Sequence, residues 1–231
     1  MKYFILVFLL FPIFVMAQSD FDKAEKCYEK GQISQAKLLF ENVVKESPNH
    51  IKALEYLGDI QGSIKNWDKT IFYYEKIKNL KPSVANYHYK YGGALGMKAK
   101  ESNKFKALGM IGEVKSSFEK AIQLNPKHIE ARWALIELYL QLPGIVGGSE
   151  AKAKRYSNEL AAISPVDGYL SKGYISEYFE RYQEAIKQYK LAIEIGKSKL
   201  CYEKLANLYK NKMNQPEKAK QVLVEYEKIK G

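Results

Sequence analysis

Gly92, Gly93 and Gly96 reproduce part of the glycine spacing that lets a backbone cradle a pyrophosphate. That chemistry needs a preceding strand and a βαβ unit. The apolar spacing around these glycines is helical, so Gly92 reads as a small residue that lets two helices approach. A second cluster, Gly147, Gly148 and Ser149, precedes a helix, where free amides could bind an anion. The same residues also suit structure: Ser149 as a cap, Glu150 against the helix dipole, and glycines that let a long turn pass close to its neighbour. His50, His88 and His128 are spread along the chain, two of them two residues after a proline, and make no metal-ligand spacing. No Ser/His/Asp or Cys/His set converges, and the carboxylates read as solvated helix faces. Neither catalysis, a cofactor nor a metal is expected.

The elements that must position these residues announce themselves by a period of 34: Pro48 recurs as Pro82, Gly58 as Gly92, Phe40 as Tyr74, Ala185 as Ala219. Such a beat means stacked helical hairpins, each burying its apolar face against its neighbours. Six units are legible, about 17–50, 51–84, a third from Ala85, a fourth from Ile129, a fifth around Gly173 and Ala185, and a sixth over about 200–231. The second is the cleanest, with Leu54, Leu57, Gly58, Trp67, Thr70, Tyr74, Ile77 and Pro82. Pro126 follows Pro82 by 44 residues, which places a ten-residue insertion at about 98–112. The turn PGIVGGS adds another at about 142–149. In the fifth unit Lys172 and Ser176 stand where Leu and Tyr are usual. Phe105 and Leu108, set among Lys98, Lys100, Lys104, Lys106 and Lys115, are expected to anchor an elaboration on the array.

This pattern resembles the tetratricopeptide repeat over essentially all of 18–231. The resemblance implies an all-α, right-handed superhelical solenoid of about six helix-turn-helix units, with a concave face for partners. Within it, YGGALGMKAK at 91–100, NPKHIEARWALIELYLQLPGIVGGSEAKA at 125–153 and SPVDG at 164–168 resemble exported bacterial tetratricopeptide proteins with a PG-x-x-GG turn. A more distant similarity is to the T component of TRAP-type transporters, whose subunits assemble with solute-binding proteins.

Residues 1–17, MKYFILVFLLFPIFVMA, carry one charge at Lys2, an apolar run interrupted by Pro12, and small residues at Val15 and Ala17. This reads as a signal peptide cleaved before Gln18. The alternative, a membrane anchor, would need roughly 18 to 20 apolar residues. No Cys follows the site, so an exported, unlipidated chain without stable membrane insertion is expected, periplasmic or secreted. Without Lys2 the 37 basic residues fall by one against 26 acidic ones, leaving a formal net charge of +10. That balance suits nucleic acid, anionic membrane or acidic protein partners. Only Arg132, Arg155 and Arg181 are arginines, and lysine lacks the fork that reads phosphates and bases. Nucleic acid is therefore not an expected partner, and the lysines read as a solubilising surface rather than a lipid or polyanion site. Cys27 and Cys201, in the first and last units, are too far apart to bridge.

If the tetratricopeptide register holds, positions 2, 5, 9 and 12 of each first helix face the concave side. That rule selects Phe21, Glu25 and Tyr28; Lys52, Glu55 and Asp59; Asn86 and Tyr89; Glu130, Trp133 and Glu137; and Leu170, Tyr174 and Glu177. The strip is aromatic and acidic inside a basic chain, suited to a basic or amide-rich peptide. Alternatively its aromatics pack between adjacent units. The expected function is a non-catalytic exported scaffold for a protein or peptide, including an envelope-associated one. The runner-up is a periplasmic accessory of a solute transport system, which needs a closed pocket, and the third an enzyme, which needs a polar cluster in a cleft.

Overall fold

The computed structural model describes residues 19–230; the expected leader over 1–17 and its cleavage site lie outside that range. Twelve α-helices follow one another with no strand among the described residues. They form six hairpins: α1 (Asp20–Glu29) with α2 (Ile33–Glu46), α3 (Ile51–Ser63) with α4 (Trp67–Leu80), α5 (Ala85–Glu101) with α6 (Lys104–Leu124), α7 (Ile129–Gln141) with α8 (Glu150–Ile163), α9 (Pro165–Tyr178) with α10 (Tyr182–Gly196), and α11 (Lys199–Asn207) with α12 (Pro216–Lys230). Each helix packs on the next, which makes the chain a solenoid. Between α11 and α12 the backbone widens into a π turn over Leu208–Lys212.

Helix starts are set by side chains that accept an orphan amide: Ser19, Asn66, Asn103, Ser149 and Ser164 do so. His50 and His128 fill the same role with Nδ1, accepting from Ala53 and Ala131 at 3.2 and 3.3 Å. The turn inside a hairpin passes through a left-handed residue at Gly31, and again one period later at Lys65, then at Glu180 and Asn214. Within the hairpins, Gly58, Gly92 and Gly173 let the second helix close in. A Cβ at Gly58 or Gly173 would fall 2.3 or 2.4 Å from the ring of Tyr74 or Tyr189, and one at Gly92 would fall 2.8 Å from Cβ of Ser117. Gly92 is thus a packing residue inside a helix, and nothing of a βαβ unit surrounds it.

The insertion expected at 98–112 takes a simple form. α5 has 17 residues against 13 in α3, α6 has 21 against 14 in α4, and only Ser102 and Asn103 separate them. Both helices of the third hairpin are lengthened, and their joined tip rises past α7. The segment 142–149 is irregular, with a 3-10 turn over Gly144–Val146 and Gly147 at φ 100°. Ser149 donates its amide to the Tyr139 carbonyl at 2.9 Å. Gly148 lies against the Leu142 carbonyl, where a Cβ would fall at 1.8 Å. The Gly147, Gly148 and Ser149 amides are therefore used within the turn, and Ser149 caps the Lys152 amide.

Candidate partner-binding groove

The face carried by the first helices is built from α5, α7 and α9, which present Tyr89, Trp133 and Tyr174 half-buried, one per hairpin. Tyr89 lies between the rings of Phe118 and His128, with centroids 5.9 and 5.1 Å away. Trp133 lies 6.3 Å from Tyr174, and its Nε1 donates to Asp167 at 2.9 Å. Trp133 is the fifth residue of α7 and Asp167 the third of α9, so the bond joins the first helices of adjacent hairpins.

Four carboxylates of the strip, Glu25, Glu55, Asp59 and Glu177, are engaged within the chain. The Lys90 ammonium bridges Glu55 at 3.0 Å and Asp59 at 2.7 Å, and Asp59 also accepts from the Tyr74 hydroxyl. Lys52 lies 3.4 Å from Glu55. Burial pushes the Glu55 carboxyl up, but Lys90 and Lys52 outweigh it and hold it below the ordinary carboxylate value. Burial alone would lower Lys90, yet its two carboxylates raise it. Glu25 accepts from Tyr56 at 2.8 Å; burial first and Glu25 second raise that phenol to about 12. Glu177 accepts from the buried Tyr189 at 2.8 Å. At the N-terminal end, Phe21 and Tyr28 pack 6.3 and 4.9 Å from the Tyr56 ring.

One expected groove residue is misplaced. Leu170 is 3% exposed and belongs to the core that α9 shares with α10, α11 and α12, in one cluster with Ala185 and Tyr189. Asn86, Glu130 and Glu137 remain exposed, with Glu130 3.0 Å from His128 Nδ1. Burial lowers the His128 pKa from its ordinary value, and Glu130 only partly opposes this.

Beside Tyr89 and Glu137 opens a cavity of about 450 Å³ that sequence reasoning missed. Its lining is largely apolar, from Gly93, Met97, Ile111, Val114, Leu138 and Leu142. A Cβ at Gly93 would touch nothing within 4 Å, so the glycine helps hold this space open. The signal lay in Gly93 itself, a helix-interior glycine off the packing position of its neighbour Gly92. A polar recess of about 340 Å³ lies elsewhere, lined from α8, α9 and α10 by Lys154, Lys172, Arg181, Ser157 and Ser176 among others. It exists where Ser176 replaces a bulky residue. Two of its cations, Lys154 and Arg181, are paired with Glu150. No group of three His, Cys, Asp or Glu among the described residues could hold a metal ion.

A tetratricopeptide repeat model matches residues 166–197, which span α9 and α10. No curated protein sequence matches the chain. Among solved structures, a thermophilic tetratricopeptide protein of Thermus thermophilus is 16% identical with a TM-score of 0.61, covering 89% of this chain and 97% of that one. MamA is 24% identical at a TM-score of 0.58, covering 74% and 92%. YrrB, described as a tetratricopeptide protein with an unusual peptide-binding site, is 15% identical at 0.54, covering 79% and 87%. At these identities the likeness is one of fold, and the fold is the tetratricopeptide solenoid.

Proposed function

We propose that this chain is a non-catalytic, exported scaffold that holds a protein or peptide segment on its first-helix face. One observation carries the reading: Tyr89 and Glu137, both at expected groove positions, rim an apolar cavity of about 450 Å³. A recess of that size takes a bulky side chain and its neighbours from an incoming segment. Half-buried Trp133 and Tyr174 continue the contact surface along the array. The exposed Glu137 favours a basic or amide-rich segment there, whereas Glu55 and Asp59 are neutralised by Lys90 and add no such preference. The described peptide-binding site of YrrB supports the class of ligand by analogy of fold. The apolar stretch 1–17 supports export; intact mass of protein recovered from the envelope should begin at Gln18.

Gly93→Leu tests the site. The new side chain fills the cavity from a backbone that already tolerates a Cβ. Crosslinking in cells followed by affinity capture should lose the partner recovered with the native chain, while the helical circular dichroism stays intact. Recovery of the same partner by the folded variant would remove the cavity from the reading.

A further inference from the structure

The end of the lengthened third hairpin carries apolar side chains that the groove cavity does not use. Phe105, in the first turn of α6, is 89% exposed, and Ile145, in the 3-10 turn after α7, is 95% exposed. Among the described residues no other exposed large hydrophobic exceeds 63%. The two share one end of the molecule. α6 runs antiparallel to α7 and is longer, so its first turn extends beyond the end of α7 on the side of the 142–149 turn. A recess of about 410 Å³ joins them directly, lined by Leu108 and Ile111 of α6 together with Leu142 and Val146. Around this tip stand Lys104 and Lys106, exposed and without a carboxylate partner among the described residues, with Glu101 exposed at the same turn and Lys100 lining the groove cavity.

We propose that this tip is a docking surface for an anionic bilayer, with Phe105 and Ile145 entering the headgroup region and Lys104 and Lys106 facing lipid phosphates. The geometry favours lipid over a folded partner. Neither Phe105 nor Ile145 lines the recesses beside it; both project into solvent, and a projecting apolar side chain is received by a yielding medium. The lysines complement the charge of that medium, each raising partitioning roughly fivefold near an anionic surface. No helix of the described chain is long and apolar enough to cross a membrane, so the contact is peripheral.

The test is co-sedimentation of the chain as purified from cells, its N-terminus read by mass, with phosphatidylglycerol-containing vesicles and with pure phosphatidylcholine vesicles. The expected result is binding to the anionic vesicles alone, lost at high salt. Phe105→Ser with Ile145→Ser should weaken it at least tenfold, and Lys104→Glu with Lys106→Glu should abolish it, circular dichroism being unchanged in both. Equal binding to both vesicle types, or binding that neither double variant reduces, would overturn the proposal; a retained leader would give that second pattern. Unchanged vesicle binding with loss of self-association or of a captured protein would assign the tip to a protein partner, and so would also overturn it.

Discussion

Two adjacent glycines in α5 answer to opposite physics, and a single added methyl separates them. At Gly92 a Cβ would fall 2.8 Å from Ser117 and 3.2 Å from Phe118, both buried on α6, so Gly92→Ala forces the hairpin apart and should cost about 1–3 kcal/mol. At Gly93 nothing lies within 4 Å, and Gly93→Ala should stabilise by up to about 1 kcal/mol through helix propensity. Urea denaturation of both variants checks the pair; equal signs would contradict the packing described. The recurrence of Gly58 as Gly92 made the first role legible in the sequence, whereas the second depends on a neighbouring helix being displaced, which no period reveals. His128 offers a second residue-scale outcome. Its Nδ1 accepts the Ala131 amide only when neutral, and burial holds its pKa below 6.5 despite the exposed Glu130 and with Arg132 nearby. Below about pH 6.5 the unfolded chain therefore binds a proton that the folded chain resists, and stability falls as pH drops toward the folded value. His128→Asn keeps a capping acceptor and removes the titration. Its loss of stability from about pH 7.5 to about pH 5.5 should be smaller than that of the native chain.

At the scale of elements, the extra length of α5 and α6 is attached to the core rather than part of it. Between Lys98 and Met110 only Ala99 is buried, while Leu95, Val114 and Phe118, which fasten the two helices, lie outside that span. Replacing 98–110 with the three-residue turn Ile64–Asn66 of the second hairpin restores the 34-residue period. The product should keep a cooperative, helical melt with a modest fall in midpoint. A collapse of the helical signal would show that the tip supports the array. The excess of ten residues was readable from the proline spacing, and Phe105 and Leu108 were readable as unsatisfied apolar positions. That the excess would extend two helices, and not form a loop, was not. The choice depends on Asn103 capping α6 immediately after α5 ends, and a cap looks like any other asparagine until the helices are placed. The fifth hairpin gives the reverse case. Lys172 and Ser176 obscured α9, yet Ser164 and Pro165 start it as helix chemistry dictates, and the repeat model matches this hairpin.

Across the whole molecule the core falls into three blocks, one over α1–α3, a large one from α3 to α9, and one from α9 to α12. In a solenoid each block is stabilised only by its neighbours, so the residues that touch two blocks decide how far the array unfolds as one unit. Trp133 is such a residue: it packs against the central and the C-terminal blocks, and its indole bonds Asp167 of the following hairpin. The period did not make this pair readable, because the turn at 142–149 lengthens the fourth unit and brings the fifth residue of α7 to the third of α9, and the groove reading assigned Trp133 to a partner. Trp133→Phe keeps a large ring and deletes the donor to a half-buried carboxylate. The expected cost is about 1–2 kcal/mol, borne chiefly by the coupling between blocks. Amide hydrogen exchange should then show α10 to α12 losing protection ahead of α3 to α8, where the native chain loses them together. If protection falls evenly along the variant, the blocks are held by their backbone packing alone, and Trp133 is available to the groove.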